Sequence, residues 1–470
     1  MFFKKLKDMS PEEIQKQKNL DTWQRLHGKA ITRRHFLAAG AISGAAYMVL
    51  PSLFSLVNPS TAEAASCGGS GLPAFITVNL DGGACLAGNA IGLAAGGSML
   101  QDYGSVGMGT TPTPVQMFGK TGPSFCSTSG FMTGLQTVMK ATTVANTTMF
   151  TVAVSSNDDT ATNQLDPTPL VVAANSSKDI LPPLGTNRNQ PAILPLTPTL
   201  NVQSLSDIQN ALSVQGAVKS LSASQKAAIF QNIQNLTALQ AQNLANVSGS
   251  SLLSALSTTA TTTNTGLVGG AGANIDPTQN TQLKTVWNNF QGQDLRDAAV
   301  VYNTLMGNAI SGYVEMGGYD YHGTGAANVL AQDTAAGTKV GRILETAAAV
   351  GKPIFVVVTT DGSTASPPSS SPTAPSGDKG THGMLYVLAY DPSTKPVATQ
   401  SQLGAYIYGG TDMGVDTSTT IGGSPSLAVG AIVANYMNWS GIGANAPNVL
   451  NNALNSQQLP PLMILQPRSA

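Results

Sequence analysis

An α/β fold, with a mostly parallel sheet sandwiched by helices and a helical insertion, is predicted by three observations. First, residues 73–80, 149–154, 353–359 and 384–390 are largely apolar runs of strand length. The run at 354–359 is apolar throughout, as expected of a parallel strand covered on both faces. Second, the stretches between these runs carry helical spacing. Third, acidic residues and histidines sit beside glycines where the strands stop and loops begin. These are Asp81-Gly82-Gly83, Gly317-Gly318-Tyr319-Asp320-Tyr321-His322-Gly323, Thr360-Asp361-Gly362 and Gly380-Thr381-His382-Gly383. Open α/β sheets bind ligands at the carboxyl ends of their strands.

The amino terminus reads as a targeting segment. Residues 1–65 carry nine Lys/Arg against five Asp/Glu, whereas the remainder carries fourteen against nineteen. Arg33-Arg34 within Thr32–Leu37 forms a twin-arginine signal. A mildly apolar run, 36–57, follows, and Ala62-Glu63-Ala64 matches a cleavage site. An uncleaved membrane anchor and a lipidated Cys67 are the alternatives. Pro51 argues against the first, and the missing aliphatic residue before Cys67 against the second. Residues 1–65 are therefore expected to be a signal removed on export by the twin-arginine translocase. Residues 66–470 are left in the periplasm or outside the cell, with no stable membrane span.

The exported part has little charge and no basic excess, which argues against a nucleic-acid partner. Its thiols are Cys67, Cys85 and Cys126. In an oxidising compartment these predict one disulfide and one free thiol, by any of three pairings. No CxxC spacing supports a thiolate metal site.

Along the exported chain, the first strand at 72–80 ends on Asp81 and two glycines that permit close approach of backbone to a ligand. A loop-rich stretch, 92–130, precedes helical spacing at 131–140 and the second strand. The Pro-rich segment 166–200 reads as irregular chain. Helical periodicity at 204–247 and a Ser/Thr/Gly tract at 248–275 make up the insertion. Helices are expected at 279–290 and 294–310, then the strand before Asp320. A long helix runs to Val350, with Gly351 as its C-cap. The loop 363–378 is Pro- and Ser-rich and reads as mobile, with a loop that overhangs the site as the alternative. A short strand at 405–410 and a helix at 427–439 complete the pattern.

With the leader removed, His322 and His382 are the remaining histidines, and both lie in the glycine-flanked loops. Imidazole and carboxylate are the usual non-thiolate ligands of zinc and similar ions.

These motifs resemble a twin-arginine-exported bacterial family of unknown function within the alkaline phosphatase-like superfamily. The matching blocks are the strand before Asp81-Gly82-Gly83, Gly318-Tyr319-Asp320-Tyr321-His322, and the strand before Asp361 with Gly380-Thr381-His382-Gly383. The resemblance implies an alkaline phosphatase-like fold and a divalent metal centre, with zinc the expected ion, one or two per chain. It implies Asp320, His322 and His382 around one metal, and Asp81 and Asp361 towards a second. A metal pair can clamp the attacking and leaving oxygens of an ester. The implied activity is hydrolysis of phosphate or sulfate esters. The chain departs from the family in two places. Thr360-Asp361-Gly362-Ser363-Thr364 replaces a block ending in arginine, and Thr381-His382 replaces an Asp-His pair unless Asp378 substitutes. Cys85, Ser127, Thr128 and Thr160 are all candidate nucleophiles. A catalytically degenerate binding protein on the same fold, with one metal or none, is therefore the alternative expectation.

Overall fold

A computed structural model describes residues 72–157, 163–174, 181–186, 199–212, 275–309, 311–322, 324–366, 377–450 and 453–468, together with 225 and 228. The twin-arginine segment, Cys67, Thr160 and most of the 204–275 insertion lie outside the described residues.

Among the described residues the central sheet has eight strands. They are β1 (Ala74–Leu80), β2 (Thr147–Ala153), β3 (Leu184–Gly185), β4 (Leu200–Asn201), β5 (Gly312–Met316), β6 (Ile354–Thr360), β7 (Met384–Tyr390) and β8 (Gln402–Leu403). Their spatial order is β8-β2-β7-β6-β1-β5-β3-β4. β1 lies between β5 and β6, parallel to both, so that Asn79 stands opposite Glu315 and Thr359. β7 alone is reversed, antiparallel to β2 and β6. The fold class is α/β with a mixed sheet. The reversal carries no sequence signal, because a strand buried on both faces is apolar whichever way it runs.

Successive strand residues face opposite layers. Ile76, Val78, Val356 and Val358 join one core with three helices, α1 (Gly130–Val138), α2 (Gln293–Leu305) and α3 (Ala326–Val350). Phe75, Phe355 and Val357 face the other core, under α4 (Pro425–Trp439). There Phe75 stacks on Phe355 with ring centroids 5.4 Å apart and meets Tyr436 edge-on at 5.1 Å. Fully burying each such ring contributes about 1.5–3 kcal/mol. No helix among the described residues is long and apolar enough to cross a membrane.

α1 and α3 approach so closely that their crossing requires glycine. A Cβ at Gly134 would lie 2.1 Å from the Thr334 carbonyl oxygen, and one at Gly337 would lie 2.0 Å from that of Phe131. Ser129 caps α1 by accepting from the Met132 N–H. α3 ends at Gly351 in the left-handed conformation, the C-cap expected from sequence.

Several expectations are corrected. The Pro-rich 166–200 stretch is not wholly irregular. It supplies a helix, Thr168–Ala174, together with β3 and the edge strand β4, whose two-residue pairings are too short to leave a periodic signal. The helix expected over 279–290 breaks after Val286, and Asn288, Asn289 and Phe290 take positive φ. The helix expected to reach 310 stops at Leu305, before Gly307 at φ 75°. The 405–410 strand forms its own ribbon, Tyr406–Tyr408 with Met413–Val415, outside the main sheet. The ends of the 363–378 loop are pinned as a ribbon of Thr364–Ala365 with Gly377–Asp378, and residues 367–376 lie outside the described residues. Cys85 and Cys126 are free thiols buried in the core, so neither takes part in the expected disulfide.

Candidate functional site

The site begins at the turn after β1. Gly82 and Gly83 have φ of 116° and 95°, a region that side-chain-bearing residues rarely enter. A Cβ at Gly82 would lie 2.6 Å from the backbone nitrogen of Asp320, so the turn and the loop after β5 touch main chain to main chain. The Tyr319 N–H donates to the Asp81 carbonyl at 3.0 Å. From the neighbouring strand end, the Asp361 carboxylate accepts from the Gly82 N–H at 3.0 Å. Burial pushes the Asp361 carboxyl above the usual range, and the charge of Asp81 adds to this against the opposing backbone N–H groups. Asp81, Asp320 and Asp361 therefore meet around one glycine turn, as their strand-end positions predict.

His322 stands on the open side of this turn. Its Nδ1 lies 2.5 Å from Asp320 and its Nε2 lies 2.8 Å from Asp378. Both hydrogen bonds raise the affinity of the ring for its proton, Asp320 first and Asp378 second. Asp320 in turn is held below the usual carboxylate range by the backbone N–H and ring of His322. Both ring nitrogens are therefore engaged by carboxylates.

His382 is fully buried in the turn Gly380–His382, which precedes β7. Because β7 is reversed, its amino end lies at the edge where the parallel strands have their carboxyl ends. The turn presses on the end of β2, where a Cβ at Gly383 would lie 2.0 Å from the Val154 carbonyl oxygen. The Nε2 of His382 is 2.9 Å from Asp412, whose second oxygen is 2.9 Å from the Lys379 ammonium. Burial pushes the imidazole below the ordinary histidine value, against the pull of Asp412. For Asp412, burial is outweighed by bonds from Ser105, Lys379 and His382, which hold it ionised. A neutral His382 thus donates Nε2–H to Asp412. Its Nδ1 is buried without a hydrogen-bond partner of ordinary geometry.

Asp412 and Lys379 belong to the candidate site by contact with His382 and with each other, and the sequence reading does not single them out. The one signal for Asp412 is its place after Gly409-Gly410, a turn leaving a short strand. Asp378, the substitute named for the lost acidic residue, does reach the site, but it meets His322 and not His382. The two clusters are joined through the Thr364–Ala365 and Gly377–Asp378 ribbon, where the Lys379 N–H donates to the Ser363 carbonyl at 2.9 Å.

Of the candidate nucleophiles, Cys85 is buried, and burial followed by the charge of Asp333 pushes its thiol up to about 12. Ser127 and Thr128 are exposed, and Thr128 bonds the Cys126 sulfur at 3.2 Å. Thr160 lies outside the described residues.

The donor types suit zinc. Among the described residues, however, no three His, Cys, Asp or Glu side chains are gathered so as to hold one ion. The donors form two histidine–carboxylate pairs, with His322 engaged on both sides. As arranged, these residues do not fit a two-metal centre. The chain matches no family model, no curated protein and no solved structure.

Proposed function

We propose that the chain is an exported protein with an alkaline phosphatase-like domain whose strand-end site is catalytically degenerate, serving as a secreted or cell-surface binding protein. The observation that carries this is His322 held between Asp320 and Asp378, which leaves neither ring nitrogen free for an ion. The arginines support it. Arg296, Arg342 and Arg468 pair with Asp297, Asp294 and Asp391, so among the described residues no guanidinium stands at the site to hold an anionic ester. The alkaline phosphatase-like part rests on the motif resemblance, with the mostly parallel sheet and its converging strand-end loops in support. Fold alone does not establish activity.

A metal-dependent ester hydrolase is the second reading. It is favoured by the meeting of Asp81, Asp320 and Asp361 at one turn, with both histidines at the same sheet edge. Metal analysis of protein purified after native export, with phosphate- and sulfate-ester assays on the same sample, separates the two. Absence of stoichiometric metal and of turnover is expected. One or two divalent ions per chain together with turnover would establish the hydrolase instead. The export half has its own test, because Arg33→Lys with Arg34→Lys should strand full-length precursor in the cytoplasm.

A further inference from the structure

The loop between β5 and α3 sends its side chains alternately in two directions. Asp320 and His322 are exposed, whereas Tyr319 and Tyr321 are 3% and 0% exposed. Both tyrosine hydroxyls end on α3. Tyr319 donates to the Gln332 carbonyl at 3.0 Å, and Tyr321 donates to the Asp333 carboxylate at 2.6 Å. The second oxygen of Asp333 accepts from the Asn89 side-chain amide at 2.8 Å. Asn89 belongs to the segment after β1, and its own oxygen accepts from the Ser129 hydroxyl and the Phe131 N–H, at the start of α1. One buried carboxylate thus joins α3, the site loop, and the segment linking β1 to α1.

Packing does not require a carboxylate there. Asp333 is 6% exposed, and a Cβ at Gly130 would lie 2.9 Å from its own Cβ. Its titratable neighbours are Tyr319, Tyr321, Tyr386 and Cys85, and no cation forms an ion pair with it among the described residues. A buried carboxylate without a cation is costly, and an apolar residue would fill the same space. What an apolar residue lacks is the ability to hold two donors from two loops at fixed positions.

We propose that Asp333 is a positioning residue of the strand-end site, which acts through Tyr321 to fix where Asp320 and His322 stand against the Gly82 turn. Tyr321 lies between those two residues in sequence, so anchoring its hydroxyl sets the peptide on either side. The tight approach of Asp320 to Gly82 leaves the loop no other seat. Such support from behind is what holds a functional constellation in one geometry. The inference rests on the reading that these loops form the functional site, yet its test needs neither ligand nor turnover.

The test is amide hydrogen exchange by mass spectrometry on the exported full chain and three variants. Tyr321→Phe removes one hydroxyl and leaves the ring in the core. It should speed exchange across 317–322 by about tenfold or more, as loss of a charge-assisted hydrogen bond implies, with the 354–360 strand unchanged. Asp333→Asn can present its oxygen to Asn89 and its amide to the Tyr321 oxygen, so it should keep the loop protected. Asp333→Leu should open both 317–322 and 84–90. Unchanged exchange at 317–322 in Tyr321→Phe would overturn the proposal. So would uniform acceleration throughout that variant, or a loop as open in Asp333→Asn as in Asp333→Leu. If Asp333→Leu does not fold, the other two variants decide. Discovery of bound metal would overturn the degenerate-site reading and leave these exchange results standing.

Discussion

Replacing Asp333 by asparagine should change the pH dependence of stability in a direction and by an amount that the structure sets. Burial raises the carboxyl from 3.8 to about 6, with the Tyr321 and Asn89 hydrogen bonds opposing. The folded state therefore binds the proton more tightly than the unfolded state. A raised folded-state value contributes stability that is complete below the unfolded value, near pH 4, and is lost as the pH rises through about 6. At about 1.4 kcal/mol for each pH unit, the loss by pH 7.5 is about 3 kcal/mol. The asparagine amide does not titrate, so the variant lacks this loss. The comparison uses denaturant unfolding of both proteins at pH 4 and pH 7.5. The stability difference, variant minus wild type, should become more favourable to the variant by about 2–2.5 kcal/mol across that interval, since part of the loss has already occurred at pH 4. Whatever fixed cost the new amide brings cancels in the comparison, as do the other titrating groups common to both chains. A difference independent of pH would refute the reasoning, because it would mean that Asp333 titrates alike in both states.

Three further outcomes are expected. Gly337→Ala should part α1 from α3 and cost about 1–3 kcal/mol or more in denaturant unfolding, since its Cβ would lie 2.0 Å from a backbone oxygen, whereas Gly325→Ala, with nothing within 4 Å, should be close to neutral. Asn435→Leu should cost about 1–3 kcal/mol for each partner left unpaired, because the buried amide bonds the Leu462 carbonyl and the Leu465 N–H, and the released carboxyl-terminal segment should become an early target of limited trypsin digestion at Arg468. Cys85 and Cys126 should resist a thiol reagent in the folded protein and react on unfolding; at pH 8 a thiol near 12 is ionised only to roughly one part in ten thousand, so rapid modification of native Cys85 would contradict its burial.

Much of the layering was legible in the sequence because burial on two faces leaves a direct trace. The residues of β1 and β6 that became core are the ones that made those runs apolar, and Gly351 marked its helix end through a backbone need that glycine meets best. The short strands β3 and β4 left no trace, since two residues cannot show a period. The site was legible where chemistry and local backbone coincide. Asp81 and Asp361 sit directly after parallel strands and Asp320 four residues after one, and the Gly82 turn gives them one place to meet. What the sequence concealed was the pairing of side chains across long separations. Asp412 reaches His382 from a ribbon thirty residues on, and Asp333 reaches Tyr321 from the interior of a helix, where an acidic residue reads as solvent-facing.

His382 reaches the carboxyl edge of the sheet by a route that its sequence position does not show. It precedes its strand, and in a wholly parallel sheet that position belongs to the amino edge, across the domain from Asp320. It comes to the carboxyl edge because β7 runs backwards between β2 and β6. The same reversal buries it, since the turn into β7 must pass under the end of β2, where Gly380 and Gly383 leave no room for side chains. Burial then favours the neutral ring, and Asp412 accepts the proton on Nε2. His322 follows a parallel strand and emerges on the open side of the loop, where two carboxylates favour its charged form. Two histidines in similar glycine-flanked motifs thus acquire opposite proton affinities from the directions of the strands that carry them. For that reason the two histidines are not chemically equivalent at the strand-end edge, and the proposed degenerate-site reading draws on strand direction as well as on the residues the motifs have lost.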